Sequence, residues 1–139
     1  MSEARSDVFK DFLQAILLAH KEHLQAFFLQ TKLGELKDRW PELGTLSIDE
    51  NLALVGDVEE GKDSLRALIE FFGEVRSVLT VFFGPEETDG RVGMIAQEFM
   101  ESNGEQIADA GLDGLFSTMS RAAYAEVTIR AESPSGFIT

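Results

Sequence analysis

The chain has 139 residues, 25 acidic against 12 basic, for a net charge of −13, with 44% apolar residues, eleven phenylalanines and no cysteine. Affinity for nucleic acid or an anionic membrane comes mainly from Lys and Arg, so this charge argues against both partners. The missing thiols exclude disulfides, thiolate metal sites and cysteine nucleophiles.

The length fits one domain, with apolar content sufficient for a packed core. The expected division is a helical domain over 1–132 and a flexible tail or linker over 133–139. The acidity also fits a salt-rich environment, without any partner being implied. Met1 to Lys10 carries acids and lacks an apolar h-region, so it does not read as a signal peptide. No uncharged stretch reaches the roughly 18 residues of a membrane span. A cytoplasmic setting is the default expectation.

The first predicted element is a helix over Ser6–Asp38, with Ser6 as N-cap and Trp40-Pro41 as its close. Phe12, Ile16, His20, Leu24 and Phe28 recur every four residues, flanked by Phe9, Leu13, Leu17 and Phe27, which gives a wide apolar face. Gly34 marks a candidate break. Ser47-Ile48-Asp49-Glu50 has the form of a capping box opening a short helix that stops at Gly56. Asp57-Val58-Glu59-Glu60 repeats the form and opens a long helix to Phe83, closed by Gly84-Pro85. Gly73 inside that helix costs about 1 kcal/mol against alanine and points to close helix approach. Pro85, Glu86 and Glu87 form the first turn of the next helix, which carries Val92, Ile95, Ala96 and Phe99 and stops at Asn103-Gly104. A further helical stretch covers Glu105 to Tyr124.

Residues 123–131 alternate apolar and polar, the period of a half-buried strand. No second strand is visible to pair with them, so they either extend the preceding helix, which is the expectation here, or pair with a copy of themselves. Short connections between successive helices predict an all-α compact bundle of about four to five helices, with a possible short C-terminal strand or tail.

Chemical motifs are sparse. His20 and His23 lie three apart on the first helix, on roughly one side. They are the candidate ligand or metal residues, and the phenylalanines around His20 would suit haem, a metal or an apolar small molecule. A zinc or di-iron site needs further ligands that the sequence does not supply, so packing is the competing role. The carboxylate pairs Glu59-Glu60 and Glu86-Glu87 occupy first turns, where they complement the helix dipole. Neither Gly90 nor Gly114 anchors an EF-hand loop. Nucleotide-binding glycine loops and a Gly-x-Ser-x-Gly elbow are absent, and Gly90-Arg91-Val92-Gly93 is too short and too acidic in its surroundings to read as an RNA-clamping loop. No catalytic residue is assigned, and no cofactor.

The paired phenylalanines, Phe9, Phe12, Phe27 and Phe28 on the first helix and Phe71, Phe72, Phe82 and Phe83 on the long central one, span more than one narrow stripe. They are the candidate interface, since a helix apolar on two faces buries one in its own bundle and offers the other to a partner. The expected function is a non-enzymatic regulatory or adaptor module in signalling that acts through helix-mediated protein contacts, as a homodimer. A ligand-binding sensor centred on His20 is the alternative.

Overall fold

The computed structural model describes residues 2–59 and 63–121, with the side chains of the first three of these left aside. The fold is all-α with one small two-stranded sheet. In order come α1 (Ser2–Ala19), α2 (Ala26–Arg39), a 3-10 turn (Pro41–Leu43), β1 (Ser47–Ile48), β2 (Leu54–Val55), α3 (Ser64–Phe83) and α4 (Pro85–Asp109). A last helical segment, α5, runs over 113–121. The alternating stretch 123–131 and the tail 133–139 lie outside the described residues.

The central element is α3, which packs on α1, α2 and α4. Its buried face is Ala67, Leu68, Phe71, Val75 and Leu79, a helical repeat of apolar positions. Contacts at both ends fix the helix directions. Ser6 and Ser64 hydroxyls meet at 2.7 Å at one end of α1 and α3, and His20 meets Phe83 at the other, so these two helices run parallel. In α2 the order reverses: Arg39 reaches Glu70 at 3.7 Å while Phe28 lies with Val78 and Phe82. Gly84 (φ 82°) turns the chain between α3 and α4, and the Arg76 Nε–Asp89 Oδ1 pair at 2.8 Å clasps the two arms. The bundle is therefore up-down-up-down.

Phenylalanines fill the middle. Phe12 is fully buried and its ring contacts Phe9, Phe72, Phe99 and Phe116, the nearest at 4.9 Å edge-on. One α1 residue thus joins α3, α4 and α5.

Three element boundaries expected from the sequence are corrected here, together with the roles of several residues within them. The single helix over 6–38 is two helices, with a corner at residues 20–25. At the corner the buried His20 ring donates from Nδ1 to the Ile16 carbonyl at 2.9 Å, and the His20 backbone N–H no longer uses that carbonyl as it would in a continuing helix. That N–H turns to Leu17 O instead, and the His23 and Leu24 N–H groups both go to His20 O. Gly34, by contrast, interrupts nothing, and α2 runs through it. Ser6 is not a cap but a buried helix residue bonded to Ser64.

The second correction concerns 47–56, which forms a hairpin rather than a helix. Asp49 Oδ1 accepts from the Asn51 and Ala53 N–H groups, so the side chain closes a turn where it was read as a helix cap. Leu52 takes φ 64° in that turn. Gly56 (φ 85°) closes the hairpin, and a Cβ there would sit 2.2 Å from the Thr45 carbonyl oxygen, so only glycine fits. Third, α3 opens at Ser64 and not at Asp57. Asp57 is occupied with the hairpin: its N–H donates to Thr45 Oγ1 and its carbonyl accepts from the Thr45 N–H. Gly73 marks no close approach, since nothing lies within 4 Å of a Cβ placed there. Asn103-Gly104 kinks α4 at Asn103 (φ −129°) without ending it.

Two glutamines fasten the hairpin across the bundle. Gln14 on α1 donates from Nε2 to Leu52 O at 2.9 Å and accepts the Leu54 N–H on Oε1 at 2.7 Å. Gln30 on α2 accepts the Ile48 N–H at 2.7 Å. The hairpin therefore bridges α1 and α2. Replacing Gln14 by Ala removes both of its bonds and leaves two backbone groups to find other partners, at a cost of about 1–3 kcal/mol. Urea unfolding of Gln14→Ala is expected to show a lowered midpoint with an unchanged m-value.

Candidate functional site

Where α1 and α2 meet, the corner at 20–25 stands beside the C-terminal end of α3. Together they frame a groove of about 310 Å³ lined by His23, Gln25, Phe28, Val78, Val81 and Phe82. No carboxylate lines it. The His23 ring lies edge-on to Phe82 at 5.1 Å and to Phe83 at 4.7 Å. The Arg91 guanidinium from α4 stacks 3.8 Å from the Phe83 centroid and is held there by a Glu87 carboxylate at 2.9 Å. On the other side Lys32 lies 5.5 Å over Phe28.

His20 is close to this cluster but not in the groove lining. It is 3% exposed, and because a carbonyl only accepts, its Nδ1 carries the hydrogen donated to Ile16 O. Burial pushes its pKa below the ordinary 6.5. The Ile16 bond opposes that shift, and the positive charge of Arg91 and the neighbouring His23 add to it. Both sequence-chosen histidines thus gather at one end of the bundle, with different settings. His20 is buried at the corner and His23 faces the groove. Among the described residues no three of His, Cys, Asp and Glu come together as a metal-holding group.

The eight candidate interface phenylalanines separate. Phe9, Phe12 and Phe71 are buried in the core, a correction to their reading as contact residues, because α1 and α3 turn these positions toward each other and toward α4. Phe72 and Phe83 are half-buried against the same core. Phe27 is 84% exposed, Phe82 55% and Phe28 42%. Sequence reasoning passed over Val81, 83% exposed, along with Leu18 and Met94, also exposed. Of the eight large apolar side chains exposed among the described residues, Leu18, Phe27, Phe28, Val81 and Phe82 lie at one end of the bundle, and Val55, Ile69 and Met94 lie elsewhere.

A second cleft of about 390 Å³ lies between α1 and the kinked half of α4. It is lined by Asp7, Val8, Asp11, Phe99, Asn103, Gln106 and Asp109. Partial shielding from water raises the Asp11 carboxyl above its ordinary value, the Asp7 charge adds to this, and Lys10 opposes it. The cleft has three carboxylates and no buried polar partner for a ligand, so it offers charge without directed chemistry.

Comparison with family models, with curated proteins and with solved structures finds no match.

Both shifted groups give pH signatures. A neutral His20 is favoured by folding, so the unfolded chain binds more protons below 6.5. Its contribution to stability is complete above 6.5 and is lost as pH falls through the lower folded-state pKa. The melting temperature is therefore expected to fall between about pH 7.5 and pH 5.5, with a shallower slope in His20→Leu. Asp11 has the opposite sense. Its raised folded-state pKa means that ionisation opposes folding, so Asp11→Asn is expected to raise the melting temperature at neutral pH and to lose that advantage near pH 4.

Proposed function

We propose that this chain is a non-enzymatic interaction module, of the regulatory or adaptor kind, whose working surface is the apolar end formed by the α1–α2 corner and the close of α3. The observation that carries this reading is the gathering of exposed Leu18, Phe27, Phe28, Val81 and Phe82 at one end of a strongly acidic protein, three of them lining the groove. Isolated exposed apolar residues need no explanation, but a concentration around a groove marks a surface that gains by being covered. Aromatic residues are the usual anchors of such surfaces, and Arg91 and Lys32, laid over phenylalanine rings, supply the polar margin.

These side chains add little to the chain's own core. Phe82 and Val81 point outward from α3 while Leu79 and Val75 fill the interior. The sequence therefore maintains apolar groups where solubility alone would favour polar ones, and association is the physical return on that arrangement.

A second reading is supported by the size of the groove. At about 310 Å³ with His23 and Gln25 as its polar groups, it falls at the lower bound of small-molecule pockets, so an apolar ligand beside His23 is the sensor alternative. A bound chromophore or organic ligand released on denaturing the purified protein would favour that reading.

The test of the interaction module is the double variant Val81→Glu/Phe82→Glu. Its melting temperature is expected to match the parent within about 2 °C, because both residues are exposed. Binding of an apolar fluorescent dye at about 0.5 µM protein is expected to drop at least fivefold. Unchanged dye binding, or a variant that unfolds, would overturn the assignment of this end as the exposed working surface.

A further inference from the structure

The chain has two histidines, and both stand at the α1–α2 corner. Around the half-buried Phe83 ring they meet a third nitrogen group. The Arg91 guanidinium lies 3.8 Å from the ring centroid, His23 comes edge-on at 4.7 Å and the buried His20 ring stands at 6.1 Å. The Glu87 carboxylate beside them is committed to Arg91, accepting from Nε at 3.0 Å and pairing with Nη2 at 2.9 Å. Asp89, further round α4, is paired with Arg76 at 2.8 Å. The last turn of α3, Thr80 to Phe83, brings no ionisable group. From α2 comes Lys32, paired with Glu35 at 3.8 Å, and Lys21 and Glu22 on the corner itself are exposed.

His20 is thus set to be neutral. Its Nδ1 hydrogen is held by Ile16 O, and among the described residues no carboxylate bonds its ring. A proton added at Nε2 leaves the Ile16 bond in place but creates a buried cation beside Arg91, and the charge of His23 adds to the repulsion. A state in which this ring meets water therefore takes up the proton more readily, and gains on the closed state as pH falls below 6.5. The chain needs little to reach such a state. Between Leu17 and Leu29 the buried side chains are those of His20 and Leu24, and the corner is tied by the backbone bonds of the His20, His23 and Leu24 N–H groups. On either side α1 is anchored through Leu13, Ile16 and Leu17, and α2 through Leu29, Leu33 and Leu36. The stretch between can leave while both helices remain packed.

We propose that the α1–α2 corner is an acid-operated joint, in which protonation of His20 beside Arg91 and His23 releases residues 18–28 from the end of α3 while the body around Phe12 stays folded. The joint goes beyond the interaction reading and stands without it. It bears on the same end of the molecule, because His23, Gln25 and Phe28 are three of the six residues lining the groove. The groove is therefore whole when His20 is neutral and dismantled when the corner opens. Histidine is the side chain whose charge ordinarily changes between pH 5 and 8, and both histidines of this chain sit in the one cluster. Asp11, the carboxyl raised by burial and by Asp7, lies in the cleft between α1 and the kinked half of α4, away from the corner.

The experiment is residue-resolved amide hydrogen exchange of the full chain by NMR at pH 7.5 and pH 5.5, corrected for the intrinsic pH dependence of exchange. The His20, His23 and Leu24 amides report the corner, and the Leu68, Val75 and Leu79 amides report the core of α3. Protection at the corner is expected to fall by about three- to tenfold at pH 5.5, since one histidine contributes at most about tenfold per pH unit below its open-state pKa. At that pH it is expected to lie at least about tenfold below protection in α3, the mark of a local opening. In His20→Gln, which stays neutral, corner protection is expected to be the same at the two pH values. In Arg91→Gln, where His20 remains and a repelling charge is gone, the acid loss is expected to shrink to less than about half. Should His20→Gln fail to fold, the parent and Arg91→Gln decide alone. Corner protection that is unchanged by acid, that equals the protection of α3 at pH 5.5, or that is lost undiminished in Arg91→Gln would each overturn the joint. None of these outcomes touches dye binding at neutral pH, so the interaction reading stands or falls separately.

Discussion

The fold depends on Phe12. A single ring from the middle of α1 touches rings supplied by α3, α4 and α5, and no water reaches it. Aromatic pairs arranged edge-on add to the gain from burying the rings, and each such pair fixes an angle as well as a distance. With Phe12 in place, the direction of α1 is set against α3, and α4 follows through Phe99. Phe116 then packs onto Phe12 edge-on and stacks on Phe99 at 5.4 Å, which brings α5 back onto the bundle after the turn at Gly111.

This division of labour explains why one end of the molecule differs from the rest. Core phenylalanines occupy the half of the bundle near the start of α1 and the second half of α4. At the other end α3 runs out of interior, and its last turn presents Val81 and Phe82 outward. The corner at 20–25 brings α2 alongside, so Phe27 and Phe28 join them. The apolar end is thus a continuation of the hydrophobic stripe beyond the point at which this chain can cover it. The hairpin held by Gln14 and Gln30 closes the open side between α1 and α2 with polar bonds to backbone and leaves the groove itself unclosed.

The main helices were legible in the sequence because their stop signals are chemical. Gly84-Pro85 and Trp40-Pro41 each end a helix where the sequence puts them. The corner at His20 was not legible, because it has neither glycine nor proline. It goes with the burial of the His20 ring and with the packing of both α1 and α2 on α3, neither of which periodicity shows. Asp49 misled for a different reason. An aspartate oxygen accepts N–H groups equally well at the start of a helix and inside a tight turn, and the choice falls to Leu52 and Gly56, which adopt positive φ. For the candidate site, adjacent phenylalanines were recognised as spanning two faces, but periodicity could not say which of them faces inward. That was settled by the packing of α1 directly on α3, which took Phe9, Phe12 and Phe71 and left Phe27, Phe28 and Phe82.

The way the corner is made has a consequence for how the chain holds its shape. Every residue from His20 to Gln25 is compatible with a helix, so the local chain has no intrinsic objection to running straight from α1 into α2. The bend is kept by what the two helices pack against on either side of it. A chain straightened there would carry α2 away from its own α3 and leave that place vacant for the α2 of another molecule, which is the geometry of a domain swap. The corner is therefore the point at which this fold would pass from a closed molecule to an exchanged one, and the packing of α1 and α2 on α3 is what holds it closed.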